Sequence, residues 1–235
     1  MTQTIDKRAP RKHGARACGG PGHGGPARSV AVSLTAASLA LTMMLALAGC
    51  ASPPEHFYSL SNGMGVPKAQ TAAAPAGYYI EMPAVTVPQQ VARNQMVVTT
   101  GAGSIDLLEY DRWASPPSAE IGQALSLAVS GELGTIDVFR TPSPDGAPVY
   151  RISTNVQRFE SAPGKYALID AVWSVRLVGG TKVLTCRSVA NEDVGAGNDA
   201  LVAGHRRAVV RIGADIARAV RALAAGGDAG CSTGS

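Results

Sequence analysis

Between Tyr150 and Val189 the chain repeats with a period of two, and this alternation limits what the rest can fold into. Tyr150, Ile152, Thr154 and Val156 alternate with Arg151, Ser153, Asn155 and Gln157, which sends one set to a buried face and the other to solvent. Pro163-Gly164 turns the chain, after which Ala167, Ile169, Ala171, Trp173, Val175 and Leu177 line one face of a longer strand. Gly179-Gly180 fits a two-residue hairpin turn, and Lys182 to Val189 returns. The pattern predicts a meander of three antiparallel strands with one apolar face, and such a face requires cover.

Two segments supply that cover. Ser115 followed by Pro116 reads as an N-cap with proline at the first helical position. Ile121, Leu125, Ala128 and Val129 then recur at helical spacing as far as Leu133, and Gly134 is the stop signal. The second helix is predicted over Asp199 to Leu223, where Val202, Val209, Ile212, Ile216, Val220 and Leu223 share an arc of about 80°. Arg207, Arg211, Arg218 and Arg221 form a basic stripe on the opposite side. The stripe reads either as a solvated face or as a contact for anionic lipid headgroups or an acidic partner. Shorter strands are expected over His56–Leu60, Tyr78–Val87, Gln95–Thr100 and Ile105–Tyr110, with residues 61–77 as a loop. The predicted fold is α+β, a two-layer sandwich whose largely antiparallel sheet is covered by two amphipathic helices.

Upstream lies a different kind of sequence. Nineteen residues from Val30 to Ala48 carry no charge, follow a basic Gly/Pro-rich stretch, and end in Leu47-Ala48-Gly49-Cys50. The run is long enough to span a bilayer, but Ser33, Thr35, Ser38 and Thr42 dilute it and small residues close it, as in a cleaved leader. Its end is similar to a bacterial lipobox, in which the cysteine thiol takes a diacylglycerol before cleavage. Residues 1–49 are therefore expected as a signal peptide, Cys50 as the lipidated residue, 50–55 as a tether, 56–225 as the domain and 226–235 as a flexible C-terminal tail. Apart from the diacylglycerol and acyl chain on Cys50, no cofactor is expected. Several acyl chains give lasting attachment where one does not. Ala51 stands where enterobacterial inner-membrane lipoproteins have aspartate, so the expected destination is the outer membrane, facing the periplasm.

Removal of the leader also changes the charge argument. The whole chain is +4, which suggests an acidic partner such as nucleic acid. Residues 1–49 hold six Lys and Arg against Asp6, a net +5; the remainder has 15 basic and 16 acidic residues, a net −1. No nucleic-acid partner is expected.

Cys186 and Cys231 are the cysteines left after Cys50, and an even pair in an oxidising compartment suggests a disulfide that ties the C-terminal tail back to a strand. The other reading is a buried thiol at Cys186 and a dispensable one at Cys231. Gly195-Ala196-Gly197-Asn198-Asp199-Ala200 imitates a dinucleotide fingerprint, but it follows an antiparallel strand, so it reads as a loop with Asn198 or Asp199 capping a helix. His56 and His205 lack companions at metal-ligand spacing, so no metal site is expected. Glu192-Asp193 reads as a solvated turn. Trp173 reads as core, while Trp113 either staples the first helix to the sheet or forms an exposed interaction edge. The sequence offers no nucleophile elbow, zinc-protease motif or P-loop, and the chain is not expected to be an enzyme.

Taken in order, Cys50, "FYSL" (57–60), "IEMPAVTVP" (80–88), "DRWASPP" (111–117), "VQRFESAPGKYALIDAVWSVRL" (156–177) and "AVVRIGADIARAV" (208–220) resemble the PqiC-type, or ABC-type transport auxiliary, lipoproteins. The chain departs from that pattern at Gln89-Gln90-Val91-Ala92. The resemblance implies an outer-membrane docking component of an MCE-type lipid transport system, with a periplasmic MCE-domain protein as partner and a homo-oligomeric ring as assembly. It leaves ATP hydrolysis to another subunit. The alternative is a structural envelope lipoprotein acting in outer-membrane or cell-wall assembly.

Overall fold

The computed structural model describes residues 53–65, 77–227 and 230–231, so the expected signal peptide, Cys50 and most of the expected loop lie outside the described residues. The strands are β1 (His56–Tyr58), β2 (Tyr79–Glu81), β3 (Gln95–Gly101), β4 (Ser104–Trp113), β5 (Val149–Ala162), β6 (Tyr166–Leu177) and β7 (Val183–Asp193). The helices are α1 (Pro117–Leu133) and α2 (Asn198–Ala224).

The meander is present and longer than predicted. β5, β6 and β7 pair antiparallel, with Thr154 opposite Trp173 and Trp173 opposite Cys186. A register shift between Val156 and Arg158 lets β5 run on to Ala162. Ile152, Val156 and Phe159 join Ala167, Ile169, Ala171, Trp173 and Val175 on the inner face, all buried. The outer face is tied by ion pairs. Arg187 grips the buried carboxylate of Asp170 through Nε and Nη2 at 2.8 and 2.6 Å. These hydrogen bonds outweigh burial and hold the Asp170 carboxyl below its usual range.

The strands form two mixed sheets rather than one. Their orders are β1-β4-β3 and β2-β5-β6-β7, with β1 parallel to β4 and β2 parallel to β5. The strand expected over Tyr78–Val87 pairs regularly only at Tyr79–Glu81, then returns as an isolated bridge from Thr86 to Asn155. Pro83 and Pro88 lack the N–H groups a longer ladder needs.

α2 lies on β6 and β7 and presses Val202, Val209, Ile212, Ile216 and Val220 into the core. Two glycines let it approach closely. A Cβ on Gly204 would meet Val194 Cγ1 at 2.4 Å and Ala167 Cβ at 2.9 Å; one on Gly213 would meet Ala128 Cβ of α1 at 2.8 Å. α1 thus packs chiefly on α2. Its expected cap is corrected: Pro116 is the N-cap and Pro117 the first helical residue, while Gly134 closes the helix in the left-handed conformation at φ 65°. Ser115 instead donates from N and Oγ to Glu120 Oε1, whose Oε2 accepts from Leu60 N and Ser59 Oγ. This buried carboxylate fastens the end of β1 to the start of α1. At α2 the cap is Gly197, with φ 92°, rather than Asn198 or Asp199; a positive φ suits glycine.

Candidate functional site

α1 and α2 cross at Ala128 and Gly213, and beside that crossing they diverge into a groove of about 640 Å3. Leu127, Ala128 and Gly131 of α1 face Val210 and Ala214 of α2, while Met64 and its flanking glycines close one end. Arg206, Arg207 and Arg211 stand along the rim with Glu132 and Glu192. Val210 is 46% exposed among these arginines. Small side chains at the crossing are what leave the space open.

The basic stripe therefore divides. Arg207 and Arg211 line the groove and share one acid: Arg207 Nε lies 3.2 Å from Glu192 Oε2, and Arg211 Nη2 lies 2.7 Å from Oε1. Glu192 is only 10% exposed at its side chain, so the solvated turn expected for Glu192-Asp193 is corrected for this residue: β7 runs on through Asp193 and turns Glu192 beneath α2. The second contact engages only Nη2 of Arg211, so its Nε and Nη1 are not spent there. Arg218 pairs with Asp215, and Arg221 donates to the Glu132 backbone carbonyl with the Glu132 carboxylate 3.5 Å away. Arg206, outside the predicted stripe, donates from Nη2 to Ser59 O at 2.7 Å and from Nε to Leu60 O at 3.2 Å. That contact joins positions 146 and 147 residues apart, and no sequence spacing announces it.

Trp113 is not an exposed edge, and its assignment as a partner contact is corrected. It is 2% exposed, with its ring edge toward Phe159 at 5.8 Å and His205 at 6.2 Å. It lies at the end of β4, where Trp113 N donates to Asn94 O at 2.7 Å. His205 is fully buried, stacks on Phe159 at 4.2 Å, and holds Ser161 Oγ 2.8 Å from Nε2. Burial pushes its pKa down to about 3. The Ser161–His205 contact has the residue types of a catalytic dyad, but both side chains are closed off from any substrate. Its ring nitrogen Nδ1 has no partner. Trp173 is core as expected, donating from Nε1 to Ser188 Oγ at 3.0 Å, which donates in turn to Asp215 at 2.6 Å. Cys186 and Cys231 are joined by a disulfide. Among the described residues no cluster of His, Cys, Asp and Glu could hold a metal.

A family model described as the ABC-type transport auxiliary lipoprotein component matches residues 58–217, more than half of the 235-residue chain. The chain belongs to that family. The matched stretch includes the Trp113 core, both helices' crossing and every arginine of the groove rim. The sequence resemblance and the family match thus agree. The family is described as a transport component, not as a class of enzyme.

No curated protein matched the auxiliary lipoprotein. Among solved structures, an uncharacterized protein is 17% identical with a TM-score of 0.57, covering 72% of this chain and 99% of its own. A protein of Xanthomonas campestris from the family DUF330 is 14% identical with a TM-score of 0.47, covering 59% and 81%. A PelC dodecamer from Paraburkholderia phytofirmans is 9% identical with a TM-score of 0.38, covering 61% and 88%. The first likeness concerns the fold alone.

Proposed function

We propose that this auxiliary lipoprotein is the outer-membrane docking component of an MCE-type system moving lipids between the inner and outer membranes. The observation that carries the reading is the family match over 58–217, which stands directly behind a cysteine that ends an uncharged run. Lipidation at Cys50 and a short tether would hold the domain at the membrane, facing the periplasm. Energy would come from the ATPase of another subunit, and a periplasmic MCE-domain protein would be the partner. Phe57, Ile105, Leu107 and Tyr110 are large apolar residues left exposed on β1 and β4, and they supply surface of the kind a partner or a second copy in a ring would cover.

Affinity capture of the membrane-extracted protein after mild cross-linking, followed by mass spectrometry, tests the reading. Recovery of an MCE-domain protein is the expected result. Recovery of only barrel proteins or peptidoglycan would overturn it and favour a structural role in the envelope.

A further inference from the structure

The groove between α1 and α2 combines two properties that a solvated helix face does not need together. Its floor is apolar, with Leu127, Ala128, Val210 and Ala214 in one strip, and its rim is cationic. Arg206, Arg207 and Arg211 face two acids, Glu132 and Glu192, so the rim keeps one positive charge. Each guanidinium has five N–H donors. Arg207 uses Nε and Nη2 on Glu192 and the Asp193 carbonyl, and Arg206 uses Nε and Nη2 on the Leu60 and Ser59 carbonyls. Nη1 of each, together with Nε and Nη1 of Arg211, remains for an anion at the mouth of the groove.

We infer that this groove binds one acyl chain of an anionic phospholipid, with its phosphate held by Arg211 and its neighbours Arg206 and Arg207. The volume, about 640 Å3, lies within the range of small-molecule sites, roughly 300–1,000 Å3. A helix at least about 10 Å across would fill it in roughly one and a half turns, too little to anchor a helical peptide. An extended peptide would need partners for its N–H and C=O groups. The walls are two helices whose mid-helix backbone groups are already paired within each helix. A hydrocarbon chain makes no such demand, and the charge at the rim selects an anionic headgroup over a zwitterionic one. The inference rests on the transport reading for the source of the lipid, but its test is independent of partner capture.

The test uses the membrane-extracted protein in nonionic detergent with phosphatidylglycerol carrying a diazirine on one acyl chain. Irradiation and peptide mapping should place the label on Leu127, Ala128, Val210 or their neighbours, and the matching phosphatidylcholine probe should label these sites less. Val210→Asp, at an exposed position, should remove the label. Arg207→Gln with Arg211→Gln should erase the headgroup preference, worth about fivefold per arginine. Circular dichroism of both variants confirms their fold. Label scattered over the surface, equal label from both headgroups, label confined to the N-terminal peptide, or full labelling of Val210→Asp would each overturn the inference. Loss of groove labelling with MCE-protein capture intact would sink this site alone; the reverse would sink only the transport reading.

Discussion

His205 should make the stability of the domain depend on pH in a calculable way. Its ring is enclosed by Trp113, Phe159 and Ser161, and its pKa is depressed to about 3. In the unfolded chain an ordinary histidine titrates near pH 6.5. The unfolded state therefore takes up the proton first as the pH falls. Stability held by the neutral ring is complete above about pH 6.5, declines below that value, and levels off once the pH passes below the folded pKa. The full difference is on the order of 5 kcal/mol, and about 2 kcal/mol of it should be gone by pH 5. The assay is urea unfolding, followed by the fluorescence of the two buried tryptophans at pH 8 and pH 5. The comparison is His205→Phe combined with Ser161→Ala, which keeps an aromatic stack and leaves no orphan hydroxyl. Other titrating groups act alike in both proteins, so the difference in pH response isolates the histidine. Wild type should lose about 2 kcal/mol more than the variant; equal losses would refute the buried neutral ring.

Other expectations are equally direct. Gly213→Val sets a side chain against Ala128 Cβ and should lower stability by about 1–3 kcal/mol, read as a shifted urea midpoint. Glu120→Gln puts an amide donor among the backbone and hydroxyl donors of Ser59, Leu60 and Ser115, and should cost about 1–3 kcal/mol in the same assay. Reduction of the Cys186–Cys231 bond, or Cys231→Ser, releases a closure of 45 residues and should cost about 2–4 kcal/mol; an unchanged midpoint with and without reductant would contradict this. Cys50→Ala should leave an uncleaved, unlipidated precursor, visible as a heavier band on a gel, and normal processing of that variant would defeat the lipobox reading.

The parts of the fold that sequence shows are those whose physics is local. Alternation from Tyr150 onward encodes β5 to β7 because each residue's face follows from its neighbour two positions away. Helical spacing encodes α1 and α2 in the same way, and Gly134 ends α1 as read. What escapes is long-range pairing. β1 and β2 are three residues each, too short for periodicity, and they join strands far along the chain in parallel register. The site was legible in half. Arg207 and Arg211 stood out by their spacing, but Glu192 looked solvated because its burial depends on α2 crossing above it. Trp113 was ambiguous for a related reason: only the placement of Phe159 and His205 turns its ring inward. The groove depends on a Gly–Ala crossing, and in sequence a small residue marks a space without saying what will border it.

The parallel attachment of β1 also sets an order in time. Tyr58 pairs with Trp113, and Tyr79 with Val149, so neither early strand has a partner until much later chain is available. β5 to β7, by contrast, meet through short turns and can form first; contacts distant in sequence are the slow ones to close. A chain exported from its N-terminus would thus cross with the stretch after Cys50 still unpaired. Pulsed hydrogen exchange should protect the β6 amides before those of β1, and simultaneous protection would contradict this sequence of events. The strand that opens the described part of the domain is, by its pairing, among the last to fold, so the domain closes from its C-terminal half back toward its start.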